Sequence, residues 1–209
     1  RLGSEGTYEY KLTLTNDSTD DFVFDDVKVT TNKSAAVAYA APYGKGLKDE
    51  FANYFRARNI LNGGTVRNSG IQGILLKDHN AIECENETKP YATIVQNGST
   101  DTNVKVTLDS AAAILDFCAK NNIAFRGHTF VWHSQTPEWF FKQGFNNNNG
   151  YVNSSVMDQR MESYIKNMFN AYATQYPTVN LYSYDVCNEV IFDGTANSGG
   201  LRPTNNTEG

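Results

Sequence analysis

The segment Tyr184-Asp185-Val186-Cys187-Asn188-Glu189-Val190 decides how this chain is read. It predicts the end of a buried strand starting at Leu181, one that delivers an amide and then a carboxylate to its C-terminal end. Upstream the strand and helix signals alternate. Leu47 to Tyr54 predicts a short helix leading into a strand over 55–61. Val66 to Lys77 carries apolar residues at helical spacing, and Ala81-Ile82-Glu83-Cys84 is a short buried strand. Residues 85–106 read as a long polar loop. Ala111, Ile114, Leu115 and Cys118 form the stripe of an amphipathic helix, which Thr107 or Asp109 can cap. Ile123 to Trp132 is the next strand. Ser155 to about Tyr176 is a long helix striped by Met161, Tyr164, Ile165, Met168, Phe169 and Tyr172. Four strands with intervening helices imply an α/β fold with a parallel sheet and right-handed crossovers.

The N-terminal part reads differently. Residues 8–15 alternate, with Tyr8, Tyr10, Leu12 and Leu14 on one face of a half-buried strand. After a turn at Asn16-Asp17-Ser18, apolar positions 22 and 24 give way to 27 and 29, and the change of parity suggests a bulge. Two strands alone cannot bury a core. Residues 1–32 are therefore expected to be the last hairpin of a β-sandwich, 33–46 a linker and 47–209 the α/β region. The chain starts at Arg1 and stops at Gly209 in a polar loop, and is expected to be an internal piece of a longer polypeptide.

A hydrophobic content of 40% with 12% aromatics suits a packed protein. A net charge of −5 without a basic tract argues against a nucleic-acid partner. No apolar run reaches the roughly 18 residues of a membrane span. Twelve Tyr, two Trp and many Asn favour polar, stacking recognition of the kind carbohydrates require. Cys84, Cys118 and Cys187 are odd in number and widely spaced, and all three are expected to be buried thiols.

In parallel sheets and barrels, functional groups collect at the C-terminal ends of strands. Those ends here read Asn62-Gly63-Gly64, Glu85-Asn86-Glu87-Thr88-Lys89, Trp132-His133-Ser134-Gln135 and Asn188-Glu189. Glycosidases use two carboxyl groups flanking the scissile bond. A general acid needs a raised pKa, which burial and a neighbouring anion supply. Glu189 is expected to be placed so, although a Glu at a strand end also suits a helix cap or a Lys pair. Asn188 can donate to a sugar hydroxyl. Glu85, Asn86 and Lys89 offer an acceptor, a mixed group and a donor within one turn. His128 is either a core histidine or, with Trp132 and Gln135, part of a sugar site. Trp139 reads as a packing anchor. His128 and His133, five apart on a strand, should point to opposite faces, so no metal site is expected, and no cofactor.

The segments ECENETKP at 83–90, RGHTFVWHSQTPEW at 126–139 and YDVCNEV at 184–190 resemble glycoside hydrolase family 10, the (β/α)8-barrel endo-1,4-β-xylanases. LKDEFANYF near residue 47 resembles that domain's opening helix. The resemblance implies the first half, four strands, of a (β/α)8 TIM barrel. It implies Glu189 as acid/base, assisted by Asn188, with His128 and Trp132 at the cleavage subsite. Glu85, Asn86, Lys89 and Gln135 would bind the neighbouring glycone sugar of xylan or xylo-oligosaccharides. The family's nucleophile lies on the seventh strand, so none is expected in this chain; the remainder of the barrel would come from further sequence. A half-barrel would expose two strand edges and an apolar inner face. Residues 7–30 resemble the tail of a family-22 carbohydrate-binding module. Secretion follows from the family. Departures are Pro90 and Tyr184, each where the family commonly has Trp. The rival readings are a non-catalytic carbohydrate-binding protein on a degenerate barrel, a barrel glycosidase acting on β-1,4-glucan, and a metal-dependent hydrolase.

Overall fold

The computed structural model describes residues 44–192 and Arg202. The expected N-terminal hairpin lies outside the described residues, as does nearly all of the linker. The described residues belong to one compact unit, Ser34–Gly209.

Four short strands form a parallel sheet: β1 (Arg58–Leu61), β2 (Ala81–Cys84), β5 (Ala124–Gly127) and β6 (Leu181–Tyr184), in the order β1-β2-β5-β6. Helices α2 (Ser69–Asp78), α4 (Ala112–Asn121) and α5 (Ser154–Gln175) connect them, after a single opening turn α1 (Leu47–Glu50). This is the pattern of four successive strands of a (β/α)8 barrel. One face of the sheet packs on the helices. Leu61, Ile82, Cys84 and Phe125 meet Leu75 of α2, Ile114, Leu115 and Cys118 of α4, and Tyr164, Met168 and Tyr172 of α5. Ile82 and Cys84 alternate along β2, as a pleat requires.

Asparagines set the helix ends. Asn68 Oδ1 accepts from Gly70 N and Ile71 N at 3.0 and 3.2 Å and starts α2. Asn153 Oδ1 accepts from Val156 N at 2.9 Å and starts α5. Asn122 ends α4 in a left-handed conformation, φ 52°. The expected cap of α4 is displaced: Thr107 Oγ1 accepts from Asp109 N, at the head of a 3₁₀ turn over Asp109–Ala111, one turn before the α-helix. Replacing Asn68 by Ala should cost about 1 kcal/mol in equilibrium denaturation, because two amides lose their acceptor.

Several expectations need correction. Residues 85–106 are not a loop. They hold a turn of helix, α3 (Pro90–Thr93), and an antiparallel hairpin of β3 (Ile94–Thr100) and β4 (Asn103–Val106). Its register shifts between Val95 and Thr100, near Gly98 at φ +80°, and this bulge hides the alternation that a periodicity reading seeks. Val104 is fully buried; its N–H donates to Ser163 Oγ on α5, and its carbonyl accepts from Asn167 Nδ2.

The strands expected over 123–132 and 181–190 stop at Gly127 and Tyr184. Past these points the chains leave the ladder and meet again at an isolated bridge, Val131 with Cys187. As a result Val186, Val190 and Cys187 are exposed, and Cys187 is not the buried thiol expected. Cys84 and Cys118 are buried, and burial pushes the Cys118 thiol up to about 12.

The sheet face opposite the helices is largely polar, not apolar. Glu83 Oε2 lies 2.9 Å from Arg58 and 3.6 Å from Arg126, and Arg126 in turn pairs with Asp185. On α5, finally, Phe169 is exposed and not part of the buried stripe, while Arg160, nine residues earlier, is wholly buried.

Tyr184, the departure at the start of the key segment, is a packing residue. Its ring stacks on Phe130 at 3.7 Å and lies against Gly127, where a Cβ would come within 2.0 Å of it. Only glycine admits that ring.

Candidate active site

Three chain segments converge beyond the C-terminal ends of β2, β5 and β6. Their anchor is Lys89, which is nearly buried. Its ammonium donates to Asn86 Oδ1 at 3.0 Å and to Gln135 Oε1 at 2.7 Å, and lies 4.4 Å from the centre of the Trp132 ring. An ammonium has three donors; two are committed here. Burial pulls the Lys89 pKa below its usual range, opposed by the charges of Glu85, Glu189 and Glu87. Those three carboxylates therefore share the field of one cation.

Trp132 Nε1 donates to Glu189 Oε2 at 2.9 Å. An indole N–H can only donate, so Oε2 is held as an acceptor and Oε1 is left to carry a proton. Glu189 has φ 52° and Gln135 φ 53°, left-handed conformations that non-glycine residues adopt at a cost. Both are held by their surroundings. Glu189's carbonyl accepts from Arg202 Nε at 3.1 Å, and Gln135's accepts from Tyr91 N at 3.0 Å. Asn188 is fixed through its backbone N–H, which donates to Val131 O at 2.8 Å. A cavity of about 350 Å³ opens here, lined by Trp132, His133, Asn188, Glu189 and Arg202 among others.

The Glu189 side chain is half exposed (50%). The burial expected of it is not supplied by the described residues, because the strand stops five residues earlier and the carboxylate stands on the loop beyond it.

His128 is tied to Asp185, Nδ1 to Oδ2 at 2.9 Å. Burial, with the charges of Lys89, Arg126 and Arg58, holds its pKa below the usual range. Neutral, it donates a hydrogen bond from Nδ1–H to the carboxylate and keeps Nε2 as an acceptor. Asp185 is meanwhile paired with Arg126. His128 and His133 do not sit on one strand, so the opposite-face argument does not apply. They are separated instead by their partners: His133 Nδ1 lies 3.8 Å from Glu189 Oε2.

Glu85, Asn86, Lys89, Gln135, Trp132 and Glu189 are thus linked into one rim, and His128 joins it through Lys89's field. Trp139 packs against Phe145 with ring centres 6.2 Å apart, as an anchor. Sequence reasoning gave no site role to Asp185 or His133. Asp185 carried a signal, a carboxylate inside an otherwise apolar run. His133 carried none beyond its neighbours.

The glycosyl hydrolase family 10 model matches residues 46–207. Endo-1,4-beta-xylanase Y of Acetivibrio thermocellus is 57% identical over 182 residues, 87% of this chain and 17% of that protein. The bifunctional endo-1,4-beta-xylanase XylA of Ruminococcus flavefaciens is 44% identical over 165 residues, 77% of this chain and 17% of that protein. Among solved structures, the CBM22-1–GH10 modules of an N-terminal endo-1,4-beta-D-xylanase from Clostridium thermocellum, complexed with xylohexaose, match at 58% identity and a TM-score of 0.72. That match covers 78% of this chain and 32% of the solved one. The chain therefore spans well under half the length of each of these relatives.

Proposed function

The chain belongs to glycosyl hydrolase family 10, and from that membership we propose that it contributes the acid/base half of an endo-1,4-β-xylanase. The observation that carries the reading is the Glu189 carboxylate at the rim, one oxygen fixed by the Trp132 indole and the other open among the described residues. In the first step Oε1 of Glu189 protonates the leaving glycosidic oxygen. In the second the same carboxylate takes a proton from water, as a retaining mechanism requires. Asn188 assists at the cleavage subsite, with His128 and Trp132. Glu85, Asn86, Lys89 and Gln135 bind the adjoining glycone xylose.

Retention needs a second carboxyl about 5–5.5 Å away. Among the described rim residues, Glu85 Oε2 is engaged by Asn62, and both oxygens of Glu87 accept backbone amides. The nucleophile is proposed to come from another stretch of polypeptide. Xylan is a polymer too large to enter a cell intact, which supports a secreted enzyme.

Residues 1–32 are proposed to be the tail of a family-22-like module. Two facts support this. The alignment with the Acetivibrio relative is longer than the family 10 segment and so takes in residues before 46, and the Clostridium structure joins the two module types.

The test is proton NMR of xylan digestion by the polypeptide that carries these residues in a complete barrel. New reducing ends should appear first as the β-anomer. Ends appearing first as the α-anomer would exclude retention, and release from β-1,4-glucan in place of xylan would exclude the substrate.

A further inference from the structure

Asn62 follows the last residue of β1, and its polar groups are engaged. Its N–H donates to Thr65 Oγ1 at 2.9 Å. Its Oδ1 accepts from Gly64 N at 3.0 Å and Thr65 N at 2.9 Å. Backbone amides only donate, so they fix which end of the side-chain amide is oxygen. The amide nitrogen is then turned outward, and Nδ2 donates to Glu85 Oε2 at 2.8 Å. The two rim segments are joined twice more: Glu85 N donates to Leu61 O at 2.7 Å, and Glu87 Oε1 accepts from Gly63 N at 2.8 Å.

We propose that Asn62 is a positioning residue for substrate: it pins one oxygen of Glu85, so that the other, unbonded among the described residues, meets the glycone sugar in a single orientation. A pre-oriented acceptor binds a hydroxyl without the entropy cost of ordering a mobile Glu side chain. Asn62 thereby sets affinity for the glycone end of the chain and leaves the bond-breaking step alone. The inference rests on the xylanase reading above.

Asn62→Asp tests it with little other disturbance. The aspartate keeps an oxygen for Gly64 N and Thr65 N, and reverses only the contact to Glu85. The charges facing that contact are Lys89, which shares its field with Glu85, Glu87 and Glu189, and Arg67, which donates to Gly63 O. Two carboxyls in hydrogen-bond contact resist double ionisation, and the pair takes up a shared proton as pH falls. For the full-length enzyme on xylotetraose, KM should rise about tenfold at neutral pH with kcat nearly unchanged. The deficit should shrink as the pH falls and the pair takes up its shared proton.

A KM within twofold of the parent at neutral pH overturns the inference. So does a deficit of equal size at every pH, which marks a merely structural role. A parent that neither binds nor cleaves xylotetraose overturns the proposed function, and the inference with it. A parent that cleaves normally beside an unaffected variant overturns the inference alone.

Discussion

In the full-length enzyme, Glu189→Gln should lower turnover on xylan by about 10²–10⁴-fold, the range for loss of a general acid–base group. Gln is isosteric and keeps an oxygen to accept from the Trp132 indole, now 2.9 Å from Glu189 Oε2. The rim should therefore stay assembled and substrate should still bind. What is lost is the ionisable proton. A xylose leaving group departs as an alkoxide unless protonated, so the first step should slow most with xylan. An aryl xyloside with a strongly acidic phenol needs no such help, and its first step should be spared. Water attack on the glycosyl-enzyme still lacks its base, so a burst of phenol followed by slow turnover is expected. Stopped-flow measurement of phenol release, beside reducing-end assays on xylan, checks both limbs. Turnover on xylan near that of the parent would refute Glu189 as the acid/base; an equal loss on both substrates without a burst would point to a damaged site instead.

How far this arrangement was legible depended on what each signal measures. β2 was read residue for residue, because Ala81, Ile82 and Cys84 make a short apolar run that Glu83 alone interrupts, and Ala81–Cys84 is buried throughout. The stripe of α4 was read because Ala111, Ile114, Leu115 and Cys118 all face the core. The rim was read from sequence because the topology of a parallel sheet fixes where the strand ends gather. Pairings across the rim were not, since Asn62 and Glu85, or His128 and Asp185, are far apart in sequence and periodicity is blind to partners. The extent of β5 and β6 was overread for a related reason. Phe130, Val131, Val186 and Val190 look like strand residues, but a polar group, His128 with Asp185, sits where the ladder would continue. The β3–β4 hairpin escaped because a bulge changes parity, which removes the one regularity that marks a strand.

The other large effect expected is on stability, from Arg160→Ala. Arg160 lies on α5 with its side chain wholly buried. A buried guanidinium is tolerated only when its donors are matched; here Nε and Nη1 are hydrogen-bonded and Nη2 stands in ion-pair contact. Nε donates to Asp101 Oδ1 at 2.8 Å, and Nη2 lies 2.6 Å from the same oxygen. Nη1 donates to the carbonyls of Phe140 and, at 2.9 Å, of Lys142. The cation also lies 3.8 Å over the Phe145 ring. One side chain thus ties the turn of the β3–β4 hairpin and two 3₁₀ turns, Glu138–Phe141 and Gln143–Phe145, to the long helix. Truncation leaves the Phe140 carbonyl without its donor and that of Lys142 with only Phe145 N, removes the partner of Asp101 and opens a cavity beside Phe140 and Phe145. Asp101 is about half exposed and regains water, which moderates the loss. The expected cost is about 3 kcal/mol, read as a shift in urea midpoint by tryptophan fluorescence, for which Trp139 is close at hand. Arg160→Lys should recover little, since an ammonium cannot span the carboxylate and both carbonyls as a planar fork does. A loss under about 1 kcal/mol for both variants would show that these contacts are replaced by water on truncation and do not hold the elements together.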